Sequence, residues 1–120
     1  MENVLKEKSY MFALRVVKLQ KYLTKDKKEF VMSRQVLRSG TSIGALIREA
    51  QYAQSKKDFI NKMSVALKEA NETHYWLSLL KDSEYITDDM HITIHSEVIE
   101  MIKILTASIN TAKERLSRER

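Results

Sequence analysis

Proline is absent from this chain, and its two glycines, Gly40 and Gly44, stand one helical turn apart inside a single periodic segment. Sheets and long ordered loops draw on both residue types for the backbone angles they need. A chain of 120 residues with so little punctuation is expected to run as long helices joined by brief polar connections. That length suits one all-α domain over residues 1–120, able to bury a continuous core.

The hydrophobic spacing predicts four helices. In the first, near residues 3–23, Leu5, Phe12, Val16, Leu19 and Leu23 form a core stripe. The charged TKDKKE run at 24–29 is a connection, and a second helix follows from about 29 to 53. On it Ser33, Val36, Leu37, Gly40, Ile43, Gly44 and Ile47 gather on one side when each residue advances about 100°. Ser55-Lys56-Lys57-Asp58 has the form of a capping box, which places Ser55 at the start of the third helix. Its core stripe reads Phe59, Met63, Ala66, Leu67, Ala70, Thr73, His74 and Leu77. DSEYITDD at 82–89 makes the last turn, with Thr87 or Asp88 as N-cap. The seam of the fourth helix repeats 4-3-4-3 through His91, His95, Val98, Ile102, Leu105, Ile109, Ala112 and Leu116. Short connections imply antiparallel neighbours, hence an up-down-up-down four-helix bundle.

These helices carry more apolar surface than one stripe each. Tyr10, Leu14 and Val17 lie nearly opposite the first core stripe; Val65, Trp76 and Leu80 lie off the third. Ile92, Ile94, Ile99, Met101 and Ile104 spread beyond the seam of the fourth. Exposed at this density, such residues invite aggregation, so a homo-oligomer is expected, with Tyr10, Leu14, Val17, Trp76 and Ile99 at its interface. The band Ser39–Ala45 is small throughout apart from Ile43, which suits close approach of another helix or a kink at Gly40. The six methionines read as core filler.

Charge is unevenly spread. Residues 1–57 carry 13 Lys and Arg against 5 Asp and Glu; residues 58–100 carry 3 against 9; residues 101–120 carry 5 against 2. Arg34, Arg38 and Arg48 fall in register with Tyr52 on the outer face of the second helix. Guanidinium groups so placed suit phosphate, which they grip through paired donors. Arg15 and Lys18 on the first helix, with Lys56 and Lys57 at the next junction, extend the set. Nucleic acid, either RNA or DNA, is the expected ligand, held through its backbone. The same arginines could instead pair with Glu49, Glu69 and Glu72 to hold subunits together, in a scaffold or adaptor that binds a protein partner without nucleic acid.

RQVLRSGTSIGALIREA followed by SKKDFINKMSVALKEANETHYWL resembles the small four-helix-bundle proteins encoded in intervening sequences of bacterial 23S ribosomal RNA genes. Accessory variability proteins of diversity-generating retroelements belong to the same family. The resemblance runs from KSYMFALRVVKLQKYL through Leu80, and the fourth helix matches in pattern only. It departs at Leu46, where family members commonly carry Asn after Gly-Ala. The resemblance implies an antiparallel bundle assembled as a homopentamer. For the retroelement branch it also implies a basic surface for nucleic acid and a reverse transcriptase partner. It defines no catalytic residues.

No nucleophile elbow, phosphate-cradling glycine loop or Ser/His/Asp order is present, so no enzyme activity and no cofactor are expected. His91 and His95 share a helix face, and an antiparallel hairpin brings His74 level with His95. No H-E-x-x-H or E-x-x-H set accompanies them, so seam histidines are expected here, not a metal site. Cysteine is absent, no apolar run approaches a membrane span, and no N-terminal segment has the form of a signal peptide. A reducing, cytoplasmic setting away from membranes is expected.

Overall fold

The computed structural model describes residues 2–119 as four helices: α1 Glu2–Lys25, α2 Met32–Gln51, α3 Lys56–Asp82 and α4 Asp88–Arg118. The cap of α3 is the one the sequence predicts, and the cap of α4 is Thr87, one of its two candidates, with Asp88 the first helical residue. Ser55 accepts from the Asp58 N–H at 3.0 Å, and Thr87 accepts from the Met90 N–H at 3.1 Å. The second helix is shorter than its periodicity suggests, starting at Met32 and not near Glu29. The reason is Glu29 itself, whose buried carboxylate accepts from the N–H groups of Val31, Met32 and Ser33 at 3.1, 3.1 and 2.7 Å. A carboxylate there satisfies otherwise orphaned donors and opposes the positive end of the helix. At the other end, Tyr52 and Ala53 close on the carbonyls of Glu49 and Ala50, so the helix stops at Gln51.

The third helix ends in a motif that normally uses glycine. The Tyr85 N–H reaches the Leu80 carbonyl and the Glu84 N–H that of Lys81, with Glu84 at φ 67°. Leu80 and Ile86 are buried behind this turn and fix it from the apolar side.

Each helix packs on two neighbours, α1 on α2 and α4, and α3 on α2 and α4; neither diagonal pair meets. Cross-helix pairs settle the directions. Gly40 approaches Val16 while Gly44 approaches Ser9, and Lys8 reaches Glu100 while Arg15 reaches Glu97. Lys56 at the start of α3 bridges to Glu119, just past the end of α4, while His74 meets His95. With α2 turning back into α3 over a short loop, the result is an up-down-up-down bundle, 54 × 21 × 21 Å. Among the described residues, no helix is long and apolar enough to cross a membrane.

The core takes the predicted stripe of α1 whole. On α4 it runs through His91, Ile94, Val98, Met101, Leu105 and Ile109, a seam rotated from the expected one. Ile94, Met101 and, on α3, Leu80 are therefore core residues and not surplus surface, while Phe59, Leu67, His74, His95 and Ile102 are only half-buried. A neighbour on each side buries a wider arc of each helix than a single stripe covers. Met63 and Met101 fill the core as expected; Met11 is exposed, and Met1 lies outside the described residues.

The small-residue band of α2 receives α1 of the same chain. A Cβ on Gly40 would sit 2.9 and 3.0 Å from the two methyls of Val16, whereas one on Gly44 would meet Ser9 Oγ at 3.4 Å. Gly40→Ala is expected to lose about 1 kcal/mol, because overpacking of roughly 1–3 kcal/mol outweighs a helix-propensity gain near 1 kcal/mol. Gly44→Ala meets ordinary contacts and is expected to gain up to about 1 kcal/mol. Urea unfolding of both variants checks this: equal shifts of the same sign would refute a close approach confined to Gly40.

Candidate nucleic-acid interface

The arginines that align along α2 are not equivalent in the fold. Arg38 is held by α3, its Nη1 donating to Glu69 Oε2 at 2.9 Å and its Nη2 to Glu72. Glu72 also accepts from Trp76 Nε1 at 3.0 Å, so one carboxylate ties the guanidinium to the indole. Glu69 is only 12% exposed while Arg38 is 48% exposed, so the pair is shielded from solvent on the Glu69 side alone. The partners expected to bind a second subunit lie in Arg38's own chain. Arg34 is exposed and has no ion-pair partner among the described residues. Arg48 has none either, and its guanidinium carbon sits 5.7 Å from the centre of the Tyr10 ring.

The remaining candidates divide between two places. Arg15 and Lys18 rim a groove of about 350 Å³ between α1 and α4, floored by Leu19, Tyr22 and Ile94. There Arg15 Nε faces the buried Glu97 Oε1 at 2.6 Å. Among the described residues Lys18 and Lys57 have no ion-pair partner, whereas Lys56 bridges to Glu119. Tyr52, the C-cap of α2, stands in solvent.

Antiparallel closure adds cations that the stripe along α2 did not include. The start of α1, the end of α2, the start of α3 and the end of α4 share one end of the bundle. Exposed Arg48, Lys57, Lys113 and Arg115, with half-exposed Lys6, converge there from all four helices, in excess over Glu7 and Glu49, while Asp58, Glu114 and Glu119 at the same end are paired with Lys62, Arg118 and Lys56. The signal in the sequence is the basic balance of residues 101–120, which becomes informative once α4 is known to return to the first helix's starting end. The opposite end mixes Asp82, Glu84, Asp88 and Asp89 with Lys25, Lys27 and Lys28.

Of the apolar residues expected at a subunit interface, Tyr10 and Leu14 are exposed. Val17 is half-buried, and Trp76 and Ile99 are half-buried against the core. Tyr10 also lines a cleft of about 700 Å³ with Lys6, Glu7, Met11 and Arg48.

The three histidines do come together. His74 Nε2 and His95 Nε2 are 2.9 Å apart, and the rings of His91 and His95 are centred 4.7 Å apart. Among the described residues, no group of three His, Cys, Asp or Glu is placed to hold a metal ion. Burial holds His91 below its ordinary pKa, helped by repulsion from His95, Lys81 and His74 and opposed by Asp82. Burial, then His74 and Lys81, lower His95 in the same sense.

Two predictions follow from these contacts. Removing a partly shielded pair costs more than removing an exposed charge. Arg38→Gln is therefore expected to lower stability by about 1 kcal/mol, and Arg34→Gln to stay within about 0.5 kcal/mol. Denaturant midpoints for the two variants test the difference. The histidines set a pH dependence. The folded-state pKa values of His91 and His95 lie below the unfolded value of about 6.5, so their contribution is complete above that pH and is lost as pH falls through the folded values. The melting temperature should fall between neutral and mildly acidic pH, and His91→Gln/His95→Gln should flatten that fall.

The sequence model of the 23S rRNA-intervening sequence protein matches residues 1–107. Among solved structures, the chain is similar to a protein of unknown function from the S23 ribosomal protein family of Bacteroides thetaiotaomicron. The two share 57% identity, the match covering 91% of this chain and 97% of the other with a TM-score of 0.90. Among curated proteins, none matches.

Proposed function

As this chain belongs to the family of 23S rRNA-intervening sequence proteins, we propose that it is a non-enzymatic homo-oligomer that binds nucleic acid through phosphate contacts. The observation that carries this reading is the convergence of Lys6, Arg48, Lys57, Lys113 and Arg115 at one end of the bundle. Carboxylates on α3 and α4 pair with Lys8, Arg15 and Arg38, yet Arg34, Arg48, Lys18 and Lys57 have no ion-pair partner among the described residues. No element reads base edges in a groove, so binding is mainly to the backbone and weakly selective for sequence.

The family resemblance implies that this proposed assembly is a pentamer. Leu14 and Val17 on α1 lie diagonally across the bundle from Trp76 on α3. Two unlike apolar faces on one chain suit head-to-tail contacts that close into a ring. Copies in a ring repeat each basic end, so modest contacts add.

Titration at several salt concentrations, with light scattering, tests both parts. Each neutralised phosphate adds about 0.7–0.9 to the slope of log affinity against log salt. Arg34→Gln/Arg48→Gln/Lys57→Gln is expected to weaken binding across sequences and to flatten that slope while the oligomer survives; Arg38 stays because it holds α2 to α3. No binding by the wild type at low salt would leave the oligomeric scaffold as the function. A stable monomer at micromolar concentration would sink the assembly.

A further inference from the structure

The cleft where α1 meets the end of α2 is lined by the ring of Tyr10, and Tyr52 stands outside that lining at the C-terminal end of α2; both rings are in solvent. Tyr10 is 53% exposed and Tyr52 is 84% exposed. Tyr52 follows Arg48 by one helical turn, and Arg48 lies over the Tyr10 ring. Lys6, Glu7 and the exposed Met11 complete the lining.

We propose that this cleft and the adjoining end of α2 hold unpaired bases of single-stranded RNA, one stacked on Tyr10 in the cleft and another on Tyr52 beyond it, with Lys6 and Arg48 on the flanking phosphates. The inference rests on the nucleic-acid reading above and narrows it. A duplex hides the faces of its bases; a single strand offers them, and an exposed ring is a platform for any base. The Arg48 guanidinium, already over one ring, presents a second planar cation for stacking. Glu7 is the one carboxylate on the lining. It repels phosphate, so the backbone runs along the Lys6 and Arg48 side, and it accepts from the 2′-hydroxyl that ribose has and deoxyribose lacks. An acidic peptide would satisfy the cations, but it would set like charge against Glu7 and leave both tyrosine faces unused.

The test uses the full chain with a short mixed-sequence RNA strand, the same RNA as a duplex, and a DNA strand of that sequence, at matched salt. The RNA strand is expected to bind more tightly than the other two. Tyr10→Leu and Tyr52→Leu should each weaken strand binding roughly tenfold with the salt slope unchanged. Duplex binding should not respond. Glu7→Gln should narrow the preference for RNA over DNA. Sizing accompanies each variant, and Tyr52, exposed at a helix end, remains informative if the Tyr10 change disturbs assembly. Duplex bound as tightly as the RNA strand would overturn the stacking site while leaving phosphate binding intact, and a DNA strand bound as tightly would overturn the assignment to RNA. Strand binding indifferent to both tyrosine changes would also overturn the stacking site. Absence of binding to all three would remove the underlying reading as well.

Discussion

The contact of α1 with α2 where Val16 faces Gly40 is the constraint on which the rest depends. The methyls of Val16 lie where a Cβ on Gly40 would need room. One turn further along α2, Gly44 faces Ser9, and another turn brings Arg48 over Tyr10. The cleft at the end of these helices is thus a downstream result of a contact two turns away. A larger residue at Gly40 would act at a distance, separating the helices and altering how Arg48 meets the ring. Tight interiors pass displacements along in this way because they have little free volume to absorb them.

Electrostatics works on the same frame. Along the chain the basic and acidic stretches are consecutive; folding sets them side by side, with α1 against α4 and α2 against α3. Lys8–Glu100 and Arg15–Glu97 cross one seam, and Arg38 crosses the other to Glu69 and Glu72. The exposed pair Lys8–Glu100 contributes little energy, and the half-exposed pairs of Arg15 and Arg38 somewhat more. Their larger effect is on distribution, since they cancel charge along the sides of the bundle and leave it uncancelled at one end.

Much of this was legible from residue spacing. The full stripe of α1, the capping roles of Ser55 and Thr87 and the meeting of His74 with His95 all follow from local periodicity plus antiparallel return. Leu80, Ile94 and Met101 were misassigned because a helical wheel treats each helix as facing one partner, whereas each here faces two. Glu29 reads as part of a charged connection, and nothing in its neighbours marks it as a buried cap. The candidate site was harder still. Arg34, Arg38 and Arg48 look alike in the sequence and differ only through what the third and first helices place opposite them. Charges from residues 101–120 join the site only through topology.

The alternation of helix directions has one more consequence. At the basic end, α1 and α3 present their N-termini while α2 and α4 present their C-termini. The partial charges of those termini, about half a unit each and opposite in sign, cancel in pairs. The positive potential there is therefore a property of side chains alone. Backbone geometry neither supplies it nor protects it. Surface substitutions can strengthen, weaken or invert that potential without disturbing a single core contact, so relatives sharing this bundle are free to diverge in the charge they present while keeping the same fold.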